Sequence, residues 1–272
     1  MRRLVVAVAL MGFATGAWAA DYETDFPTLR GTSPYIPVPP RHTNWSGFYG
    51  GGQAGFGISG MDLGRTTVYG PTDPFLSPLP NASTWALFGT DHPKAGSFGA
   101  FAGYLGQWDD VVLGFELNYN RTRLLGSSSA TRSFAATALP SGSPNTYDGT
   151  IAATSSLKIT DYGTFRFRGG WAYENFLPYA MVGVAVGWAQ TNRSVTVTGT
   201  PSSGSPGGAP FVITNTAETV PILWGYSAGI GTDFLVMSNV FLRAEYEFVQ
   251  FLTVSNAKAN VNAVRGGLGF KF

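Results

Sequence analysis

The chain has 272 residues, 12 % of them charged and 14 % aromatic, with 36 Gly, no Cys and a formal net charge of +1. An ordinary soluble domain carries about 25 % charged residues, so this composition leaves little for a water-exposed surface. The missing Cys excludes a disulfide framework, a thiolate zinc site and a Cys nucleophile, and the near-neutral balance argues against the concentrated basic face of a nucleic-acid binder.

At the start, Arg2 and Arg3 precede an apolar run from Leu4 to Ala14, followed by Ala17-Trp18-Ala19. Charge, short apolar core and small residues in that order predict a secretory signal peptide over 1–19. The core is shorter than the ~20 residues a spanning helix needs. Cleavage after Ala19 removes both arginines and takes the formal balance from +1 to −1. Residues 20–44 hold Pro27, Pro34, Pro37, Pro39 and Pro40 and predict an extended periplasmic connector, since proline suits neither helix nor sheet interior.

From Trp45 to Phe272 the order is period two. Strands are predicted at 46–59, 95–107, 111–123, 156–171, 177–195, 218–236, 239–252 and 259–272. Val111, Leu113, Phe115, Leu117 and Tyr119 alternate with Gly114, Glu116, Asn118 and Asn120. Further on, Lys158, Thr160, Tyr162, Thr164, Arg166 and Arg168 share one face, and Leu157, Ile159, Phe165, Phe167 and Trp171 the other, which Asp161 interrupts. Arg243, Glu245 and Glu247 alternate with Leu242, Ala244, Tyr246 and Phe248, and Arg265 and Lys271 lie opposite Val264, Leu268, Phe270 and Phe272.

The connections alternate in length. Trp108 to Asp110, Ala172 to Phe176 and Met237 to Ser238 are short, whereas 60–94, 124–155 and 196–217 are long and rich in Gly, Ser, Thr and Pro; only 253–258 is short on the long side. An even strand count with short turns at one end and long loops at the other predicts an all-β fold: an eight-stranded antiparallel up-and-down transmembrane barrel with long extracellular loops and periplasmic termini. A soluble sandwich or lipocalin-like barrel would need many more charges on its outer face.

Two catalytic patterns occur. Gly225-Tyr226-Ser227-Ala228-Gly229 fits the G-x-S-x-G elbow, which needs a strand-to-helix turn and a later His. The alternation continues through it, and His42 and His92 both precede it. Gly50-Gly51-Gly52-Gln53-Ala54-Gly55 matches G-x-G-x-x-G but lacks a βαβ setting. Both read better as small residues in a narrow barrel. No cofactor or metal is expected, although a loop imidazole at His92 could touch heme iron.

Asn44-Trp45-Ser46-Gly47-Phe48-Tyr49 through Gly57, Tyr162 to Gly170, Pro178 to Gly187 and the ending Val264 to Phe272 resemble strands of the small alphaproteobacterial outer-membrane proteins in the OmpA-like barrel superfamily. The resemblance spans about 45–272. It implies the barrel fold, outer-membrane lipid and lipopolysaccharide as surroundings, and a terminal aromatic, here Phe272 with Phe270, that the barrel-assembly machinery reads. Members of that family are described variously as surface antigens, small porins and hemin binders.

Counted from the short turns, Glu116, Arg166, Arg168, Arg243, Glu245, Glu247 and Arg265 fall at similar heights on the charged face. They are expected to point inward, Glu116 beside at most two cations, Arg166 and Arg168, and Glu245 or Glu247 beside Arg265. Such a cluster is either a charged constriction or a plug of salt bridges, because buried charges persist only when paired. The interior of an eight-stranded barrel is only wide enough for its own side chains, which favours the plug. The expected function is a non-enzymatic outer-membrane barrel that supports the envelope and displays its loops, with slow solute passage possible in principle. A hemin- or ligand-binding receptor or adhesin, or a lipid-modifying enzyme, are the alternatives; oligomeric state stays open.

Overall fold

The computed structural model describes residues 43–63, 79, 89–205, 207–252 and 258–272; the signal peptide, the connector up to His42 and most of the first long connection lie outside them. The strands in chain order are β1 (Gly47–Asp62), β2 (Thr90–Asp91), β3 (Lys94–Trp108), β4 (Val111–Ala138), β5 (Thr146–Trp171), β6 (Phe176–Pro201), β7 (Phe211–Thr219), β8 (Ile222–Met237), β9 (Val240–Phe251) and β10 (Lys258–Lys271). Eight of them form a ring in the order β10, β9, β8, β6, β5, β4, β3, β1, all antiparallel, closed where β1 meets β10 from Tyr49 opposite Lys271 to Asp62 opposite Lys258. Closure leaves no sheet edge in that ring, the condition under which a β-sheet can stand in hydrocarbon. β2 lengthens the ladder on β1, and β7 pairs with β6 alone beyond the ring.

The outer wall is apolar. On β4, Val111, Leu113, Phe115, Leu117 and Tyr119 all point outward and are exposed. That stretch runs about 26 Å along the strand, or roughly 20 Å of height at the usual tilt, close to the lipid-facing band of an outer-membrane barrel. At the end with short turns, Trp108, Trp171 and Phe234 stand outward. At the other end the band stops where Tyr119 donates to Asp161 Oδ1 at 2.5 Å and Tyr246 to Asn262 Oδ1 at 2.8 Å. Tyr at such a level keeps its ring in an apolar layer and its hydroxyl in a wet one.

Beyond that level the structure corrects the sequence reading. Most of 124–155 and 196–217, expected as loops, is strand: β4 continues to Ala138, β5 starts at Thr146, β6 reaches Pro201, and β7 adds a ninth long strand outside the ring. The reason is that the polarity pattern inverts. Inward positions become apolar, with Leu124, Ile151, Leu157, Val195 and Val197 in one buried cluster, while outward rows such as Ser129, Thr154, Ser194 and Thr216 carry hydroxyls. Hydroxyls on an exposed strand face satisfy β-structure as well as loops do, so composition alone misleads.

The assignment of Leu157 and Ile159 to the same face as Phe165 and Phe167 is also corrected. The ladder between β5 and β6 shifts register between Ile159 and Asp161, which marks a bulge at Thr160. One extra residue exchanges the two faces, so Leu157 and Ile159 are buried while Phe165 and Phe167, beyond the bulge, face outward.

A charge cluster inside the barrel

The structure places Glu116, Arg166, Arg168, Arg243, Glu245, Glu247 and Arg265 inside the ring, all buried. Each sits at the inward parity of its strand, and register brings Glu116 opposite Arg166 and Arg265 opposite Glu245. Arg166 stands at the centre. It pairs with Glu116, and its Nη1 donates to Glu245 Oε1 at 2.8 Å and Glu247 Oε1 at 2.9 Å. Arg265 Nη2 donates to Glu245 Oε1 at 2.7 Å and also pairs with Glu247.

Glu116 has three cationic neighbours, one more than expected: Arg243 Nη1 reaches its Oε2 at 2.8 Å, beside Arg168 Nη1 at 3.1 Å. Arg243 comes from β9, far from Glu116 along the sheet, and only ring closure brings the two together. Asp233 of β8 was missed altogether. It holds Arg243 Nε at 2.9 Å and Arg168 Nη2 at 2.7 Å. The signal was present, since Asp233 has the same parity as Ser227, Gly229 and Gly231 while Phe234 and Val236 have the lipid-facing one. With Asp233 counted, four arginines face four carboxylates and the cluster is neutral.

Aromatic groups complete it. Tyr49 donates to Glu116 Oε2 at 2.7 Å and Tyr179 to Glu245 Oε2 at 3.2 Å. The Arg168 guanidinium lies 3.7 Å from the Tyr179 ring centroid and that of Arg243 lies 3.8 Å from Phe101, distances at which the ring face stabilises the cation. Glycine makes the room: a Cβ at Gly231 or at Gly103 would stand 2.5 Å from the hydroxyl of Tyr179 or Tyr49 respectively.

Above this layer Gln53 Nε2 donates to Asn118 Oδ1 at 3.0 Å and Asn120 Oδ1 at 2.7 Å. Towards the short turns, Trp45, Phe101, Leu105, Leu177 and Phe241 pack as an apolar layer. The glycine patterns belong to this lining. Ser227 is buried in the middle of β8 with strands on both sides, and a Cβ at Gly51 would meet Phe101 at 2.7 Å. His42 lies outside the described residues, and His92 stands at the extended end. Phe270 and Phe272 face outward at the short-turn end, Phe272 with 85 % of its surface exposed.

A closed antiparallel ring with an apolar outer wall and a polar, charge-balanced interior is the architecture of a transmembrane β-barrel. The chain belongs to the outer membrane protein beta-barrel domain family, whose model matches residues 5–272. It is therefore an integral protein of the Gram-negative outer membrane. It is 25 % identical over 269 residues to the 25 kDa outer-membrane immunogenic protein of Brucella ovis, covering 99 % of this chain and 96 % of that protein. The Brucella canis protein of the same name is 25 % identical over 278 residues, covering 99 % and 97 %. Among solved structures, Neisserial surface protein A is similar in fold, with a TM-score of 0.36 and 15 % identity over 84 % of this chain and 98 % of that one. The attachment invasion locus protein of Yersinia pestis gives 0.31 and 15 % over 83 % and 99 %.

Proposed function

We propose that the protein is a non-enzymatic structural barrel, closed to ions, that supports the envelope and displays its β4–β7 sheet at the cell surface. The observation that carries this reading is the state of the charge cluster: Glu116, Arg166 and Glu247 are each 0 % exposed, and Arg166 pairs with both carboxylates. A filter needs water beside its charges, and a solute path would have to break several buried ion pairs at once. The immunogenic relatives in Brucella support surface display of the extended sheet. Phe270 and Phe272 serve assembly in this reading.

Refolded protein in planar bilayers is expected to give no resolvable conductance steps. Stable steps whose ion selectivity changes when Glu116, Arg166 or Arg265 is neutralised would overturn the sealed barrel and install a pore in its place.

Both termini face the periplasm in this proposal, because the short turns lie at their end. Proteinase K added to intact cells is then expected to cut in the turns at 139–145 or 202–210 and to spare 20–44. Cleavage confined to 20–44 would invert the orientation.

A further inference from the structure

Among the described residues β7 pairs with β6 alone, so the backbone N–H and C=O groups along its other edge belong to no ladder. An open edge is a template for a further strand, and sheets usually blunt it with lysine, proline or a short strand. Between Pro210 and Pro221, β7 runs nine residues with Glu218 as its single charge. Val212, Ile213, Thr214, Thr216 and Thr219 are all β-branched, which suits extended backbone.

The two faces of β7 define the neighbour that fits. On the outward face the hydroxyls of Thr196 and Thr214 stand 3.1 Å apart and those of Ser194 and Thr216 3.3 Å, a ladder that ends at β7. On the inward face Phe211 and Ile213 pack against the apolar cluster, whereas Asn215, Ala217 and Thr219, of the same parity, are exposed. A second copy of the strand, turned end for end about a two-fold axis at Asn215, completes both faces. Thr214 then lies opposite the partner's Thr216 and extends the hydroxyl ladder. Ile213 and Phe211 fall beside the partner's Ala217 and Thr219, the inner positions left exposed. Glu218 meets the partner's Val212 and not its own image, so no like charges oppose each other. Nine residues paired in this way make roughly eight to ten backbone hydrogen bonds.

We propose that β7 pairs antiparallel with β7 of a second copy of this chain. Chain direction fixes where that copy stands. Copies in one membrane are related by rotation about its normal, which keeps every strand running the same way up; antiparallel β7 strands therefore belong to barrels that face each other from two membranes. The inference rests on the surface display proposed above, which puts β7 outside the cell. Pairing in detergent does not depend on that orientation, so the protease map and the pairing test fail separately.

The test uses the full chain refolded in dodecyl maltoside. The chain has no Cys, so Asn215→Cys puts a single thiol on the two-fold axis, and a short bismaleimide is expected to link it into dimers. Ser129→Cys, on the outward face of β4, should stay monomeric under the same treatment. Failure of Asn215→Cys to link, or equal linking at both positions, overturns the pairing.

Charge at the exposed Thr214 and Thr216 tests the register. Thr214→Lys/Thr216→Lys sets like charges opposite each other and should weaken self-association, read by analytical ultracentrifugation, about tenfold. Thr214→Lys/Thr216→Glu sets opposite charges there and should associate at least as well as wild type. Both variants should keep the circular dichroism and heat-shifted gel mobility of wild type, since exposed substitutions change stability little. Equal association of the two overturns the register about Asn215. In phospholipid vesicles, where both orientations occur, wild type should make vesicles cluster and the double-lysine variant should leave them dispersed. Dimers in detergent beside dispersed wild-type vesicles overturn the facing arrangement.

Discussion

Arg166→Gln is expected to destabilise the refolded barrel by about 3–5 kcal/mol, read as a fall in the urea midpoint with an unchanged slope. Its guanidinium is shared by Glu116, Glu245 and Glu247, so its loss leaves excess negative charge on carboxylates that are buried from solvent. Rescue should depend on which carboxylate is neutralised with it. In Arg166→Gln/Glu247→Gln every remaining charge keeps a partner: Glu116 has Arg168 and Arg243, and Glu245 has Arg265. In Arg166→Gln/Glu116→Gln, by contrast, Arg168 and Arg243 compete for Asp233, and Glu245 and Glu247 for Arg265. The first double variant should therefore recover more than half of the loss and the second less. Small additive losses from all variants would mean a hydrated lumen and would defeat the plug.

Deleting Phe272 is expected to lower the amount of inserted protein severalfold in cells while leaving the stability of refolded barrel nearly unchanged. Phe272 adds one seam hydrogen bond, from its N to Phe48 O at 2.8 Å, and is otherwise 85 % exposed. Loss of one such bond costs about 1 kcal/mol, too little to prevent folding. A large deficit in cells with a small one in vitro therefore places the effect in assembly. Equal membrane levels for the deletion and the wild type would remove Phe272 from any assembly role.

The sequence reveals the ring and half of its interior for one physical reason. In a barrel whose outside is lipid and whose inside is polar, side-chain parity is written as polarity, so Glu116, Arg166 and Arg265 stand out against Leu117, Phe165 and Val264. Height is legible too, because the short turns give each strand a common origin. What stays hidden is whatever closure decides. Arg166 on β5 meets Glu245 and Glu247 on β9 across the lumen, and no local pattern encodes that distance. Thr160 hides for a different reason: a bulge is a single added residue, and the letters around it keep the same alternation while their directions exchange.

The inversion at that level also constrains the route by which the protein enters its membrane. The far halves of β4 to β7 carry hydroxyls outside and hydrocarbon inside, the arrangement of a water-soluble sheet. In the proposed orientation they have to traverse a layer that tolerates no such exterior, and the finished interior, with Arg166 wedged between opposing walls, offers no passage. In that orientation those hairpins are expected to cross before Arg166 of β5 meets Glu245 and Glu247 of β9, so that the ion pairs form behind them. Once formed, the eight buried and paired charges are expected to bar the way back.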